Sequence, residues 1–259
     1  MQKFEDPGHW DDTARHYETT AHPFTALYAE VALSRVPMGP GSAVLDVAAG
    51  TGALALAAAR TGARVLATDF SPGMVAAIAA KAVPNVETAV MDGQALSLAD
   101  GTFDAVFSIF GVIMFPDWRK GLAEMARVTR PGGKGVVATW EDSGAATFLL
   151  CRQVCRKLFP GRENMPMPEG VRALGSPDDF RREMIAAGYA EVAIEKVTRD
   201  FELELAALDT PDDLFGMSPD WIGLADGEQA AVIAEIRRMA GDRSILPVPS
   251  TALVAVARR

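Results

Sequence analysis

The sequence predicts an α/β fold built on a parallel sheet covered on both faces. Two observations carry that reading. Between residues 43 and 141, short apolar runs alternate with segments of helical pattern, as crossovers between parallel strands require. The apolar runs are continuous rather than alternating, the mark of strands buried on both sides.

The elements follow in chain order. Residues 9–35 carry no strand signal, only helical or loop patterns, and they hold the three histidines, His9, His16 and His22. AVLDVA (43–48) reads as the first strand and Ala53–Arg60 as a helix. RVLAT (64–68) is the second strand, followed by the Ala-rich helix Met74–Lys81. Val86–Met91 and FDAVFSI (103–109) are the third and fourth strands. The helix Asp117–Arg130 rests on Trp118, Leu122 and Met125 at spacings of four and three, with Asp117 as N-cap. PGGKGVVATW (131–140) is a turn and a fifth strand. A helix around Thr147–Leu158 precedes a Pro/Met-rich stretch, residues 160–170, which reads as a flap over a substrate. Ser176-Pro177-Asp178-Asp179 combines cap, proline and first-turn acids, and Gly188 closes that helix before the strand Glu191–Val197. Thr210-Pro211-Asp212-Asp213 repeats the start signal, residues 228–240 read as a helix, and TALVAVA (251–257) is the last strand.

Composition narrows the function. With 259 residues and 49% hydrophobic content, the chain buries a core without disulfide or metal staples. The net charge of −9 is evenly spread, −5 over residues 1–142 and −4 over the remainder, so no basic nucleic-acid surface is expected. Cys151 and Cys155 are too few for a disulfide framework or a complete zinc site, and no metal is expected. Four apart on a helix, they share one face and read as packing. No apolar run is long enough to span a membrane, and MQKFEDPGHWDD is too polar and acidic for a signal peptide, so the expected location is the cytoplasm.

The chemistry concentrates in LDVAAGTGALA (45–55). Gly50 and Gly52 lie in the turn after the first strand, where backbone must bend tightly and approach a ligand. Gly50, Gly52 and Ala55 also match a dinucleotide turn, and the same glycines suit a strand–helix turn with no ligand. Asp69, after the second strand, can accept hydrogen bonds from both hydroxyls of a ribose. Asp92, after the third, can accept a hydrogen bond from an adenine amino group. Asp46 would repel a pyrophosphate at this turn, whereas a sulfonium with an ammonium tail tolerates it. The three acids together favour a ligand with adenine, ribose and positive charge, and no phosphate.

The runs VLDVAAGTG, ATDFSPGM, MDGQALSLADGTFDAVFSIFGVIMFPD and GLAEMARVTRPGGKGVVATW resemble the class I S-adenosylmethionine-dependent methyltransferases. The likeness is to the small-molecule group that includes the ubiquinone/menaquinone C-methyltransferases. It is close over residues 40–142 and continues loosely through SPDDFRREMIAAGY and TALVAVARR. The family's first loop glycine is here Ala48.

The resemblance implies a Rossmann-like doubly wound seven-stranded sheet, order 3-2-1-4-5-7-6 with strand 7 antiparallel, and helical cap insertions. It implies a single methyltransferase domain over 1–259: an N-terminal helical lid (1–40), a cofactor-binding core (41–142), and remaining strands with substrate-cap insertions (143–259). Its implied cofactor is S-adenosylmethionine. Ala48, Gly50 and Gly52 would wall the methionine part, and Asp46 would hold that turn or the ammonium. Asp69 would bind the ribose, with Phe70 and Met74 near the adenine. Asp92 would meet the adenine amino group beside Gly93 and Gln94, and Ser108 and Ile109 would offer carbonyls to the ammonium. For Phe70, Met74 and Ile109, core packing is an equal reading.

The implied activity is in-line transfer of the methyl group to O, N or C of a partly apolar small-molecule acceptor. The protein's task is then alignment and exclusion of water, so no catalytic signature is required. Phe110, Met114 and Trp140 are candidate substrate-lining residues, and His16 and Tyr17 are candidate bases. Glu141-Asp142 after the fifth strand either face the substrate or sit in a solvated loop. A cofactor-binding protein of the same fold, with another reaction or a sensor role, is the alternative. An NAD oxidoreductase is disfavoured by Asp46 and by the lack of a Tyr-x-x-x-Lys pair.

Overall fold

Seven strands form one sheet, the inner ones from continuous apolar runs: β1 (Ala43–Val47), β2 (Arg64–Asp69), β3 (Val86–Val90), β4 (Phe103–Ile109), β5 (Thr129–Trp140), β6 (Ala190–Glu204) and β7 (Ile245–Arg258). The structure is a computed structural model describing residues 6–141, 147–163, 167–216 and 218–259. The sheet order is β3-β2-β1-β4-β5-β7-β6. β1 pairs in parallel with β2 and β4, β2 with β3, and β4 with β5, whereas β7 runs antiparallel to β5. Val44, Leu45, Val106, Phe107, Val136 and Val137 are fully buried, as strands covered on both faces demand. The chain leaves β1 toward β2 on one side and returns to β4 on the other. The crevice at the carboxyl ends of β1 and β4 is therefore the topological switch point.

Helices α1 (Pro7–Ser34), α2 (Ala53–Ala59), α3 (Pro72–Ala79) and α4 (Trp118–Val128) precede β5. Asp6, Ser71 and Asp117 cap α1, α3 and α4, accepting from the N–H of Gly8, Met74 and Lys120. Trp118, Leu122 and Met125 are the buried stripe of α4, at the spacing seen in the sequence. Helices α5 (Thr147–Leu158), α6 (Glu169–Ala173), α7 (Pro177–Ala186), α8 (Pro211–Phe215), α9 (Pro219–Ile222) and α10 (Asp226–Ala240) follow. Ser176 caps α7 through the Asp179 N–H.

The chain divides into two compact units, one of residues 1–142, 168–197 and 252–259, the other of residues 143–167 and 198–251. The second unit has its own core, in which Cys151, Val154 and Cys155 of α5 pack with Phe215, Trp221, Val232 and Ile236. The two cysteine sulfurs lie 4.0 Å apart and are buried, consistent with packing. Arg152 and Asp220 form a buried ion pair at 2.6 Å in the same unit.

Two strands outrun the sequence reading. β6 extends to Glu204 and β7 begins at Ile245 rather than Thr251. In the β7 extension burial alternates: Leu246, Val248 and Ser250 are buried while Ile245, Pro247 and Pro249 are exposed. Prolines at outward positions argue against a strand in sequence but are tolerated there in structure. Among the described residues no helix is long and apolar enough to cross a membrane.

Gly135 of β5 fits its place because the ring of Tyr189 fills the space a Cβ would take. Tyr189 is buried and its hydroxyl lies 3.1 Å from Thr129 Oγ1. Gly135→Ala is expected to lower unfolding stability by about 1–3 kcal/mol through overpacking, measured by urea denaturation. Unchanged stability would contradict this packing.

Candidate functional site

The loop after β1 is the most conformationally demanding segment of the chain. Ala48, Gly50 and Gly52 all have positive φ, at 55°, 55° and 91°. Glycine adopts this region freely, whereas Ala48 carries a strain of about 1–2 kcal/mol. A Cβ added at Gly111 would lie only 2.5 Å from the Ala48 Cβ, so the methyl group of Ala48 is accommodated by a glycine beyond β4.

Two buried carboxylates hold this loop. Asp46, at the end of β1, accepts from the Ala55 N–H at 3.0 Å. It thereby caps α2, whose own N-cap, Gly52, has no side chain to do so. Burial pushes the Asp46 carboxyl up to about 8, and the neighbouring Asp69 charge adds to it. Asp69, at the end of β2, accepts from the Gly50 N–H at 2.9 Å with one oxygen and from the Ser71 N–H at 3.0 Å with the other. Burial raises it to about 6 against the pull of these backbone donors. A carboxylate oxygen offers two acceptor sites, so each oxygen of Asp69 keeps capacity for a second donor, the requirement for gripping a vicinal diol.

Helix α1 lies against this loop. Asp11 accepts from the Ser71 hydroxyl and the Gly73 N–H, both at 2.6 Å, which holds its carboxyl below the ordinary value. The ring of Tyr17 lies over Gly50, where an added Cβ would be 3.4 Å from it. Burial, with the charge of Asp69, pushes the Tyr17 phenol up to about 12, so it is a proton donor rather than a base. His22 Nδ1 is 2.7 Å from the Thr51 hydroxyl. Lys81 donates to the Thr51 carbonyl at 2.9 Å and pairs with Glu18 at 2.6 Å. Burial holds His22 below its ordinary value, so its imidazole is neutral near pH 7. Tyr17, His22 and Thr25 share a small recess with Asp46, Ala48, Thr51 and Ile109.

The other residues singled out in the sequence have varied surroundings. Met74 is buried and Phe70 half-buried. Asp92 is exposed and accepts from the backbone N–H and side-chain amide of Gln94, at 2.8 and 3.0 Å. Gln94 in turn accepts from the Asp117 N–H at 2.8 Å. Gly93 is fitted to the Phe115 ring and Val47, which a Cβ would meet. Ser108 is fully buried and accepts from the Val112 N–H at 3.0 Å, turning the chain into a 3-10 turn, Val112–Met114, where Met114 is half-buried. Phe110 and Trp140 are buried together, stacked with centroids 4.0 Å apart. Glu141 pairs with Lys196. Asp142 and residues 164–166 of the Met/Pro-rich stretch lie outside the described residues.

His22, Thr25 and Thr51 line the recess, and His16 is not among its lining residues. The signal was helical phase. On a helix, His16 sits about 100° from Tyr17 on the side away from Thr25, whereas His22 follows Tyr17 on the Thr25 side. Using it required knowing that residues 9–35 form one helix. Among the described residues, no group of three or more His, Cys, Asp or Glu side chains could hold a metal ion.

Residues 44–133 match the family model described as a methyltransferase domain. The chain is 36% identical over 174 residues to a demethylmenaquinone methyltransferase of Corynebacterium efficiens, covering 63% of this chain and 74% of that one. To a demethylmenaquinone methyltransferase of Mycolicibacterium paratuberculosis it is 40% identical over 203 residues, covering 73% and 87%. Among solved structures, the YcgJ protein of Bacillus subtilis superposes with a TM-score of 0.57 at 17% identity, covering 89% and 97%. A methyltransferase of Aquifex aeolicus superposes at 0.51 and 19% identity, covering 88% of each chain. At these identities the two structures share the fold.

The contact between Ala48 and Gly111 is open to test. Gly111→Ala is expected to destabilise the chain by about 1–3 kcal/mol. Adding Ala48→Gly is expected to recover part of that loss, giving a non-additive double-mutant cycle in thermal unfolding. Strict additivity would show that the two residues do not touch.

Proposed function

Because the chain belongs to the S-adenosylmethionine-dependent methyltransferases, we propose that the crevice at β1, β2 and β4 holds that cofactor and presents its methyl group to a planar, partly apolar ring. The observation that carries this reading is the pair of buried carboxylates, Asp46 and Asp69, at the ends of adjacent strands around a glycine loop. A cation suits two acids whose ionised forms burial disfavours, and a diol suits the spare acceptor capacity of Asp69. No basic side chain lies among the residues described here as lining the recess, apart from the neutral His22, so the donor set fits a phosphate-free ligand. The quinol ring as acceptor follows the relatives, which are named for demethylmenaquinone.

The cofactor supplies an electrophilic methyl on a sulfonium leaving group. The chain supplies position. The left-handed loop 48–52 brings backbone beside the ligand, Asp69 fixes the ribose, and Asp46 keeps α2 in register while adding negative potential. Residues 1–40 act as a lid. In the closed arrangement Asp11, Tyr17, Glu18 and His22 all bear on the loop or on α3, so α1 excludes water from the crevice and withdraws to admit ligands. If the acceptor loses a proton, His22 is the neutral base of the recess, and Tyr17 can only donate.

Two tests follow. Asp69→Asn is expected to weaken S-adenosylmethionine binding by about 1–3 kcal/mol, read by calorimetry, and unchanged affinity would remove Asp69 from the ribose. The second concerns pH. An acid whose folded value is raised favours the folded, unliganded chain at low pH, and that advantage is lost as pH rises through its folded value, about 6 for Asp69 and about 8 for Asp46. A cationic ligand favours the ionised forms. Affinity should therefore rise from about pH 5 to about pH 8 with proton release, detected by calorimetry in buffers of different ionisation enthalpy. Binding without proton exchange at any pH would contradict the role of the two acids. Methyl transfer itself is read as S-adenosylhomocysteine release with a naphthoquinol against a panel of polar acceptors, and activity confined to polar acceptors would overturn the ring.

A further inference from the structure

Beside the glycine loop stands an aromatic cluster that the proposed chemistry leaves without a role. Trp140 ends β5, and Phe110 follows β4. Their rings are parallel within 7°, with centroids 4.0 Å apart. Phe24 of α1 also lies parallel to Trp140, within 8°, but at 5.7 Å. Tyr28 meets all three rings edge-on, at 5.2–5.5 Å.

Three features separate this cluster from ordinary core. Phe110 has a φ of 62°, a region that a bulky L-residue rarely enters. Backbone strain of this kind collects at ligand clamps and active sites, where the surroundings hold a side chain in a required direction. The next residue, Gly111, packs directly on Ala48, so the strained position adjoins the loop that cradles the cofactor. Finally, Phe24 comes from α1 and follows Pro23, which lacks the N–H that would bond back to Thr19. The turn that carries Phe24 thus lacks one backbone hydrogen bond, and of the two parallel contacts on Trp140 that of Phe24 is the longer.

We infer that the face of Trp140 turned from Phe110 is a slot for a planar aromatic ring, backed by the Phe110 stack, and that Phe24 fills the ring's place on Trp140 until a ligand displaces it. Tyr28, also of α1, meets the rings edge-on and walls the edge of the slot. Flat π faces favour offset stacking and edge contacts, so the slot selects for planarity rather than for apolar bulk alone. This inference rests on the proposed acceptor class and gives that ring a location.

The test uses 1-naphthol as probe and decahydro-1-naphthol as a non-planar compound of the same skeleton, titrated into the full chain with and without S-adenosylhomocysteine. The slot predicts binding of 1-naphthol at least tenfold tighter than its saturated counterpart. Trp140→Leu should weaken 1-naphthol at least tenfold while leaving S-adenosylhomocysteine within about twofold, and Phe24→Ala should tighten 1-naphthol several-fold. Phe24→Ala removes only the plug, so it keeps the proposal falsifiable where Trp140→Leu fails to fold. Equal binding of the two probes, or an unchanged or weakened 1-naphthol affinity in Phe24→Ala, would overturn the slot. If S-adenosylhomocysteine fails to bind the wild-type chain, the cofactor reading fails, and the 1-naphthol titrations without it still decide the slot.

Discussion

The structure turns on how two carboxylates hold a loop that is hard to form. Residues 48–52 place three left-handed residues within one turn, and such a loop is poorly determined by its own sequence. Asp46 and Asp69 determine it from outside. One anchors the start of α2 through the Ala55 N–H, and the other anchors Gly50 and Ser71, the beginnings of two crossovers. Both acids are buried with backbone amides as partners rather than cations, so their charged forms are disfavoured until something positive arrives. The same groups that shape the loop are those that a cationic, ribose-bearing ligand would satisfy.

That dependence explains why α1 sits where it does. Its carboxylate Asp11 takes the N-terminal amide and hydroxyl of α3, its Tyr17 ring covers Gly50, and its His22 reaches the Thr51 hydroxyl. Further along the same helix Phe24, Tyr28, Ala29 and Ala32 are buried, so α1 joins the loop by polar groups at one end and packs by apolar side chains at the other.

Much of this was legible in the sequence, and the reasons are local. The strand Phe103–Ile109 is a continuous apolar run and has the limits read from it. Asp117 and Ser176 announce helix starts by capping chemistry that acts within three residues. The loop residues Asp46, Gly50, Gly52 and Asp69 stand out because few other side chains do what they do. The outer part of β7 was missed because its burial alternates and prolines interrupt it, and that of β6 because it is largely exposed, with only Leu203 buried in it. His22 and Thr51 were missed because their pairing spans 29 residues and depends on the phase of a helix whose length the sequence left open. The positive φ of Ala48 and Phe110 is invisible in sequence, since neither residue type signals it.

The central claim is that the Asp46–Asp69 loop is a cofactor cradle which α1 closes. A crystal structure with S-adenosylhomocysteine bound tests it most directly. The account places the ribose hydroxyls on Asp69, the homocysteine tail along Ala48–Gly52, and the Tyr17 ring moved away from its position over Gly50. Ligand density elsewhere on the chain, or density at the loop with both ribose hydroxyls turned from Asp69, would contradict it.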